Sequence, residues 1–501
     1  MRRLASALTL CLLIGSGCTP TKGGLRAPAP PTPTAPATTV APVATPQLVG
    51  LDAALDRETL TADREGKLVA RLRLDASGIA LRQRPPVDLT LVVDTSGSML
   101  GEPIEDARAA ALALLDGLRD GDRLTVVTFD SRAQLLVAPI VVDRSALGPV
   151  KEALGKMEAR GTTDLAAGLQ LAMQQTLASG LASEAVRRIV VLGDGVPNDA
   201  GPIPQQIATA KGYGIAISTL GFGLEYDEVL LAQIAQGTGG RFHRIDADES
   251  IATAFRDEVL RIERAVASNV VLRLQPGPGV SISRIIGHPS APDATRGHTV
   301  QLADLAEGQS QEIFVELTTT AHRSGATVEL LDAAVSYEDH TAGAGRLERT
   351  AFVASTASDA PEAQGSREVG RGVALARVAA ASIDAIAMAR AGDFAGAEAL
   401  LEDAEAQARK LAKTLDEAAL LARADELATL RKTITDDRKR QQKAERDALR
   451  AAKREQPHPT AGGPLPMPTP AAQIAREPMP AGDLATVKQA HSRAVDTLQP
   501  R

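Results

Sequence analysis

Leu89-Thr90-Leu91-Val92-Val93-Asp94-Thr95-Ser96-Gly97-Ser98 is an apolar run that ends in an acidic, hydroxyl-rich loop. Residues 89–93 have the texture of a strand covered on both faces, the kind that sits inside a parallel sheet. Beyond it, Asp94, Ser96 and Ser98 stand at i, i+2 and i+4. One carboxylate and two hydroxyls can converge there on a small hard cation, and Mg²⁺ suits such a set. Asp, Ser and Gly also build ordinary polar turns, so the downstream sequence has to separate the two readings.

From 87 to about 255, strands alternate with helices. Strand candidates are 89–93, 124–129, 135–142, 189–192, 215–222 and 241–245; helix candidates include 104–118, 145–157, 165–177, 204–211 and 228–236. That order predicts an α/β domain around a doubly wound, mostly parallel sheet. Loops at the carboxyl ends of such strands share one edge, where ligands bind. Two more loops reach it: Gly161-Thr162-Thr163-Asp164, entering a helix, and Gly193-Asp194-Gly195, leaving strand 189–192.

Together these three loops resemble the von Willebrand factor type A (VWA) domain and its metal-ion-dependent adhesion site, whose pattern is Asp-x-Ser-x-Ser, a distant Thr and a distant Asp. The resemblance assigns Asp94, Ser96, Ser98, Thr163 and Asp194 as metal ligands. Thr163 is preferred to Thr162 because it directly precedes Asp164, as in the family. Thr219-Leu220-Gly221-Phe222-Gly223 and Thr238-Gly239-Gly240-Arg241-Phe242 also match supporting text. Gly193 departs from the Thr or Ser common before the second Asp; no metal ligand is lost by it. The resemblance covers 87–255. It implies a VWA/Rossmann-like fold and a bound Mg²⁺, or Mn²⁺ or Ca²⁺. It also implies a coordination position open to an Asp or Glu of a partner protein.

The flanks read differently. Residues 67–74 alternate, Leu68, Ala70, Leu72 and Leu74 on one face against Lys67, Arg71 and Arg73 on the other, as in a half-buried strand. After 269 come short strands broken by Gly, Pro and Asp (270–274, 280–286, 299–302, 312–317, 327–331 and 334–337), the pattern of an antiparallel sandwich. The early strand has no place in the α/β unit, so the α/β domain is expected as an insertion in that sandwich. Residues 367–436 are Ala/Leu-rich and helical, with Gly392-Asp393 as a stop and restart. Residues 438–454 read as a mixed-charge, solvated helix, and the Pro-rich tail after 456 as disordered. The expected divisions are 1–18 signal, 19–47 Pro-rich linker, 48–86 first sandwich strands, 87–262 α/β domain, 263–360 sandwich, 361–436 helical hairpin, and 437–501 charged helix and tail.

Residues 1–18 carry Arg2 and Arg3, an apolar stretch, and Gly15-Ser16-Gly17 before Cys18. They resemble a bacterial lipoprotein signal, with Gly15 where the family usually has Leu. Cys18 is then the lipidated residue, and Thr19 after it favours the outer membrane. Cys18 would also be the sole thiol left, since the chain has two Cys and Cys11 goes with the signal. The 44% hydrophobic content supplies large cores. Aromatics at 2% and a net charge of −7 argue against nucleic acid. No Gly-x-Ser-x-Gly elbow, Walker loop or paired His spacing is present among the seven His, so no catalytic residue is assigned. The expected function is a cell-envelope, metal-dependent protein-binding module. The alternative is an envelope scaffold that binds through its helical tail, with a metal that only staples loops.

Overall fold

The computed structural model describes residues 48–77, 86–178, 185–193, 196–223, 226–245, 251–339, 345–360, 365–454 and 477–500. The signal, Cys18 and the Pro-rich linker lie outside them, as does Asp194. The chain opens with strands β1 (Val49–Leu55), β2 (Thr59–Thr61) and β3 (Gly66–Ala76). An alternating segment follows: β4 (Val87–Asp94), α1 (Glu102–Gly117), β5 (Arg123–Phe129), β6 (Ala133–Val141), α2 (Gly148–Gly155), α3 (Leu165–Leu177), β7 (Val186–Gly193), α4 (Ile203–Gly212), β8 (Ala216–Gly221), α5 (Glu228–Thr238), β9 (Phe242–Arg244) and α6 (Ile251–Glu263). Seven strands come next: β10 (Ala265–Pro276), β11 (Val280–Ile285), β12 (His298–Gln301), β13 (Leu305–Ala306), β14 (Ser310–Thr319), β15 (Thr327–Asp339) and β16 (Gly345–Ser358). Helices α7 (Arg367–Arg390), α8 (Phe394–Leu415), α9 (Ala418–Arg454) and α10 (Ala481–Leu498) close the chain.

The α/β sheet has the order β6-β5-β4-β7-β8-β9. All neighbours are parallel except the edge pair β5–β6. Every residue of β4 is buried, as its unbroken apolar run requires. One face packs Leu91, Val93 and Leu192 against Ala107, Leu114 and Phe255 of α1 and α6. The other packs Val92, Val127 and Val191 against Leu169 and Ile234 of α3 and α5. The sandwich has one sheet ordered β1-β3-β14-β11 and a second ordered β12-β10-β15-β16-β2. In β3, Leu72 lies opposite Ala53 on one side and Ile313 on the other. The strand before the α/β domain therefore pairs with strands after it: the α/β domain is inserted in the sandwich.

The helical segment departs from expectation. Helix α9 runs unbroken to Arg454, so the division expected at 436 falls inside a helix. The tail is not wholly unstructured either: 481–498 form α10, with Val487, His491, Val495 and Leu498 buried. Val487 joins the core of α7–α9. Val495 joins the core of the α/β domain. Leu498 packs with Val69 and Phe314 of the sandwich. A short tail helix can order because three apolar surfaces meet along it, and a pattern that contains His and Lys hides this. Lys488 is wholly buried and donates to Glu228 at 2.9 Å and to the Tyr226 carbonyl at 2.6 Å. Arg390 of α7 donates to the same Glu228 through Nε at 3.1 Å. The 24-residue α7 is apolar enough to cross a membrane by length and composition, but most of that stretch is buried against neighbouring elements.

Candidate metal centre

Strand β4 ends at Asp94, which is 1% exposed. Its Oδ1 accepts the Ser96 N–H at 2.8 Å, so the carboxylate folds the loop that follows it. The Ser96 and Ser98 hydroxyls lie 3.0 Å apart, which puts the i+2 and i+4 oxygens side by side as their spacing predicts. Thr95 ties the loop to β5 through its N–H and its hydroxyl, at 2.8 and 3.1 Å from the Phe129 carbonyl.

The second loop is bonded to the first. Gly97 N–H donates to the Gly161 carbonyl at 3.1 Å, and Arg160 N–H to the Thr95 carbonyl at 2.7 Å. Gly161 has φ +73°, and a Cβ there would stand 2.6 Å from Ser131 Oγ, so this turn needs glycine. The structure also separates the two threonines. Thr162 is exposed and spends its hydroxyl and N–H on Ser131 Oγ, at 3.2 and 3.0 Å. Thr163 is buried and directly precedes Asp164, whose side chain caps α3 by accepting the Ala167 N–H at 2.9 Å.

The third loop follows β7. The β4–β7 register sets Val93 level with Leu192, so Asp94 and Gly193 come side by side. A Cβ on Gly193 would lie 3.4 Å from Asp94 Oδ2. Asp194 lies outside the described residues. Where the loop re-enters, Asn198 N–H donates to the Thr163 carbonyl at 2.9 Å. Asp94, Ser96, Ser98 and Thr163 thus sit on two directly bonded loops, and both ends of the Asp194 loop are bound to the same edge. Asp130 and Arg160 were not anticipated. Buried Asp130 accepts Arg160 Nε at 3.0 Å and its carbonyl accepts the Asp164 N–H, so it braces the Thr163 loop. Its position at the end of the strand predicted over 124–129 was the available signal.

Residues 88–257 match the von Willebrand factor type A domain. The chain is 29% identical to an uncharacterized protein of Synechocystis sp., over 53% of this chain and 64% of that protein. It is 25% identical to the uncharacterized protein YfbK of Escherichia coli, over 48% of this chain and 43% of that one. The chain therefore spans less than two thirds of either relative. Among solved structures, a von Willebrand factor type A protein from Catenulispora acidiphila superposes with a TM-score of 0.59 at 20% identity, covering 77% of this chain and 89% of its own. At that identity the likeness is one of fold, and it extends beyond the VWA domain. The donor set fits a hard divalent cation in kind: buried carboxylate, paired hydroxyls and a third hydroxyl on a bonded loop. Among the described residues no three His, Cys, Asp or Glu side chains cluster to hold a metal, so any site at this edge depends on the hydroxyls.

Proposed function

We propose that the carboxyl edge of the VWA domain holds Mg²⁺, or Mn²⁺ or Ca²⁺, through Asp94, Ser96, Ser98, Thr163 and Asp194, and through it captures an Asp or Glu of a partner protein. Domains of this family are commonly protein-interaction modules. The observation that carries the reading is the loop after β4, with a buried carboxylate whose Oδ1 sets the turn and two hydroxyls 3.0 Å apart beside it. A bound divalent cation supplies a Lewis-acid position for an incoming carboxylate. The chain's own part is to fix the donors before the partner arrives. Thr95, Gly97 and Arg160 do so with backbone bonds that leave the Ser96 and Ser98 side chains at the edge. We further propose that acylated Cys18 holds the protein to the bacterial cell envelope, on the outer membrane, with residues 27–47 as a stalk.

Titration calorimetry tests the site. Wild type should give a one-site Mg²⁺ isotherm, and Asp94→Ala should give none while its thermal unfolding stays cooperative. Equal heats for the two proteins would sink the assignment. Fatty-acid labelling lost in Cys18→Ser tests the anchor.

A further inference from the structure

The second sandwich sheet carries a cavity of about 610 Å³ on its outer face. Leu274 and Ala333 point inward to the sandwich core, so their neighbours Arg273, Gln275, Asp332 and Ala334 face outward. Strand register builds the cavity from them. Arg273 of β10 lies opposite Thr299 of β12 and Ala334 of β15, and Ala334 lies opposite Thr350 of β16. In the next row Gln275 lies opposite Asp332, and Asp332 opposite Phe352. Ala334, the smallest of these, leaves the hollow between longer side chains. Loop 293–297 is the wall and is held from within. Asp293 Oδ1 accepts the Thr295 and Gly297 N–H groups at 2.7 and 3.0 Å, and Gln275 Nε2 donates to the Thr295 carbonyl at 2.9 Å. The one cationic side chain of the lining is already engaged, since Arg273 turns to Glu348 at 2.5 Å. Asp332 is not: among the described residues it makes no hydrogen bond or ion pair. Beside it Phe352 is 56% exposed.

We propose that this cavity binds an arginine side chain presented by a partner protein, its guanidinium lying on the Phe352 ring and forking to the Asp332 carboxylate. Directly opposed residues on neighbouring strands set their side chains roughly 5 Å apart, so one flat cation reaches both. The open groups are acceptors, the Asp332 carboxylate with the Thr299 and Thr350 hydroxyls beside it. A guanidinium brings five donors and no acceptor, stacks on an aromatic face and is weakly hydrated. An anionic ligand would instead meet Asp332 and Asp293. An arginine within a polypeptide adds no carboxylate of its own to that wall. The site lies on the sandwich and does not depend on the metal-dependent reading of the VWA edge.

The test uses the full chain, without added Mg²⁺, grown with fluorophenylalanine and read by ¹⁹F NMR. The chain has seven Phe, and the Phe352 resonance is the one absent from Phe352→Leu. The probes are capped Gly-Arg-Gly and its neutral isostere with citrulline in place of arginine. The arginine peptide should shift the Phe352 resonance saturably, and the citrulline peptide should bind at least about tenfold more weakly. Asp332→Asn is isosteric and exposed, so it should fold normally, and it should weaken binding of the arginine peptide about threefold or more. Equal affinity for the two peptides, equal affinity of wild type and Asp332→Asn, or a Phe352 resonance unmoved at about 10 mM arginine peptide would each overturn the site.

Discussion

At the scale of single residues, the edge makes sharp distinctions between neighbours of the same type. Thr162 spends its hydroxyl on Ser131, whereas Thr163 is buried beside the cap of α3. Thr163→Val should therefore weaken Mg²⁺ binding by about tenfold or more and Thr162→Val by less than about twofold, read by calorimetry. Two glycines differ likewise. Gly193 has no positive φ, and an added Cβ would meet Asp94 at ordinary contact distance, so Gly193→Ser should fold normally. Gly161→Ala combines φ +73° with a Cβ 2.6 Å from Ser131 Oγ. It should cost at least about 1–2 kcal/mol for the left-handed backbone alone, visible in thermal unfolding. Spacing two residues apart foretold that the Ser96 and Ser98 hydroxyls lie together, whereas Thr163 and Asp194 were named only by the family resemblance. The pairing of Asp130 with Arg160 could not be read, because it joins residues 30 apart in sequence.

At the scale of elements, β3 shows how far pattern reaches. Its alternating Leu68, Ala70, Leu72 and Leu74 announce a half-buried strand, and its lack of a partner within the α/β unit announces the insertion. Leu72 is wholly buried between the two sheets. Leu72→Ala should cost about 2–5 kcal/mol, and a denaturant titration should record it as a fall in midpoint. The α7–α8 junction was equally legible: Gly392 at φ +90° ends one helix, and Asp393 caps the next through the Gly396 N–H at 2.9 Å. Helix α10 was not legible. Its buried stripe of Val487, His491, Val495 and Leu498 is broken by an imidazole and carries Lys488 beside it. Lys488 is tolerable there only because Glu228 and the Tyr226 carbonyl lie far away in sequence and close in space.

At the scale of the whole molecule, α10 joins three cores, and its polar centre makes that union sensitive to acid. His491, wholly buried on α10, faces Glu228 of α5, Arg390 of α7 and Lys488 of its own helix. Burial pushes its imidazole down to about 4; Glu228 opposes this, and Arg390 and Lys488 add to it. Burial would raise the Glu228 carboxyl, but the Lys488 and Arg390 charges and the Arg390 hydrogen bond outweigh it and bring it down to about 2. An unfolded imidazole takes its proton near pH ~6.5, so between there and about 4 the unfolded chain holds the extra proton and stability falls as pH falls. The contribution of Glu228 persists through that window and fades only as pH drops from about 4 toward 2. Calorimetry from pH 7 to 4 should show a loss in wild type of which His491 contributes up to about 3 kcal/mol. His491→Phe should reduce the slope without abolishing it, because burial holds the His288 imidazole down to about 4 as well; identical slopes would exclude His491 as a contributor.

The position of α10 in the chain also fixes when the protein can be finished. Strand β9 emerges from the ribosome long before Val495, which its domain needs to close one face of its core. At ~5–20 residues per second, the gap is on the order of tens of seconds. Through that interval the nascent VWA domain must carry an open apolar flank, and the sandwich an unfilled seam. Completion waits for α10, so a nascent chain stalled before residue 481 should be cut by protease in the α/β segment where a chain that carries α10 resists.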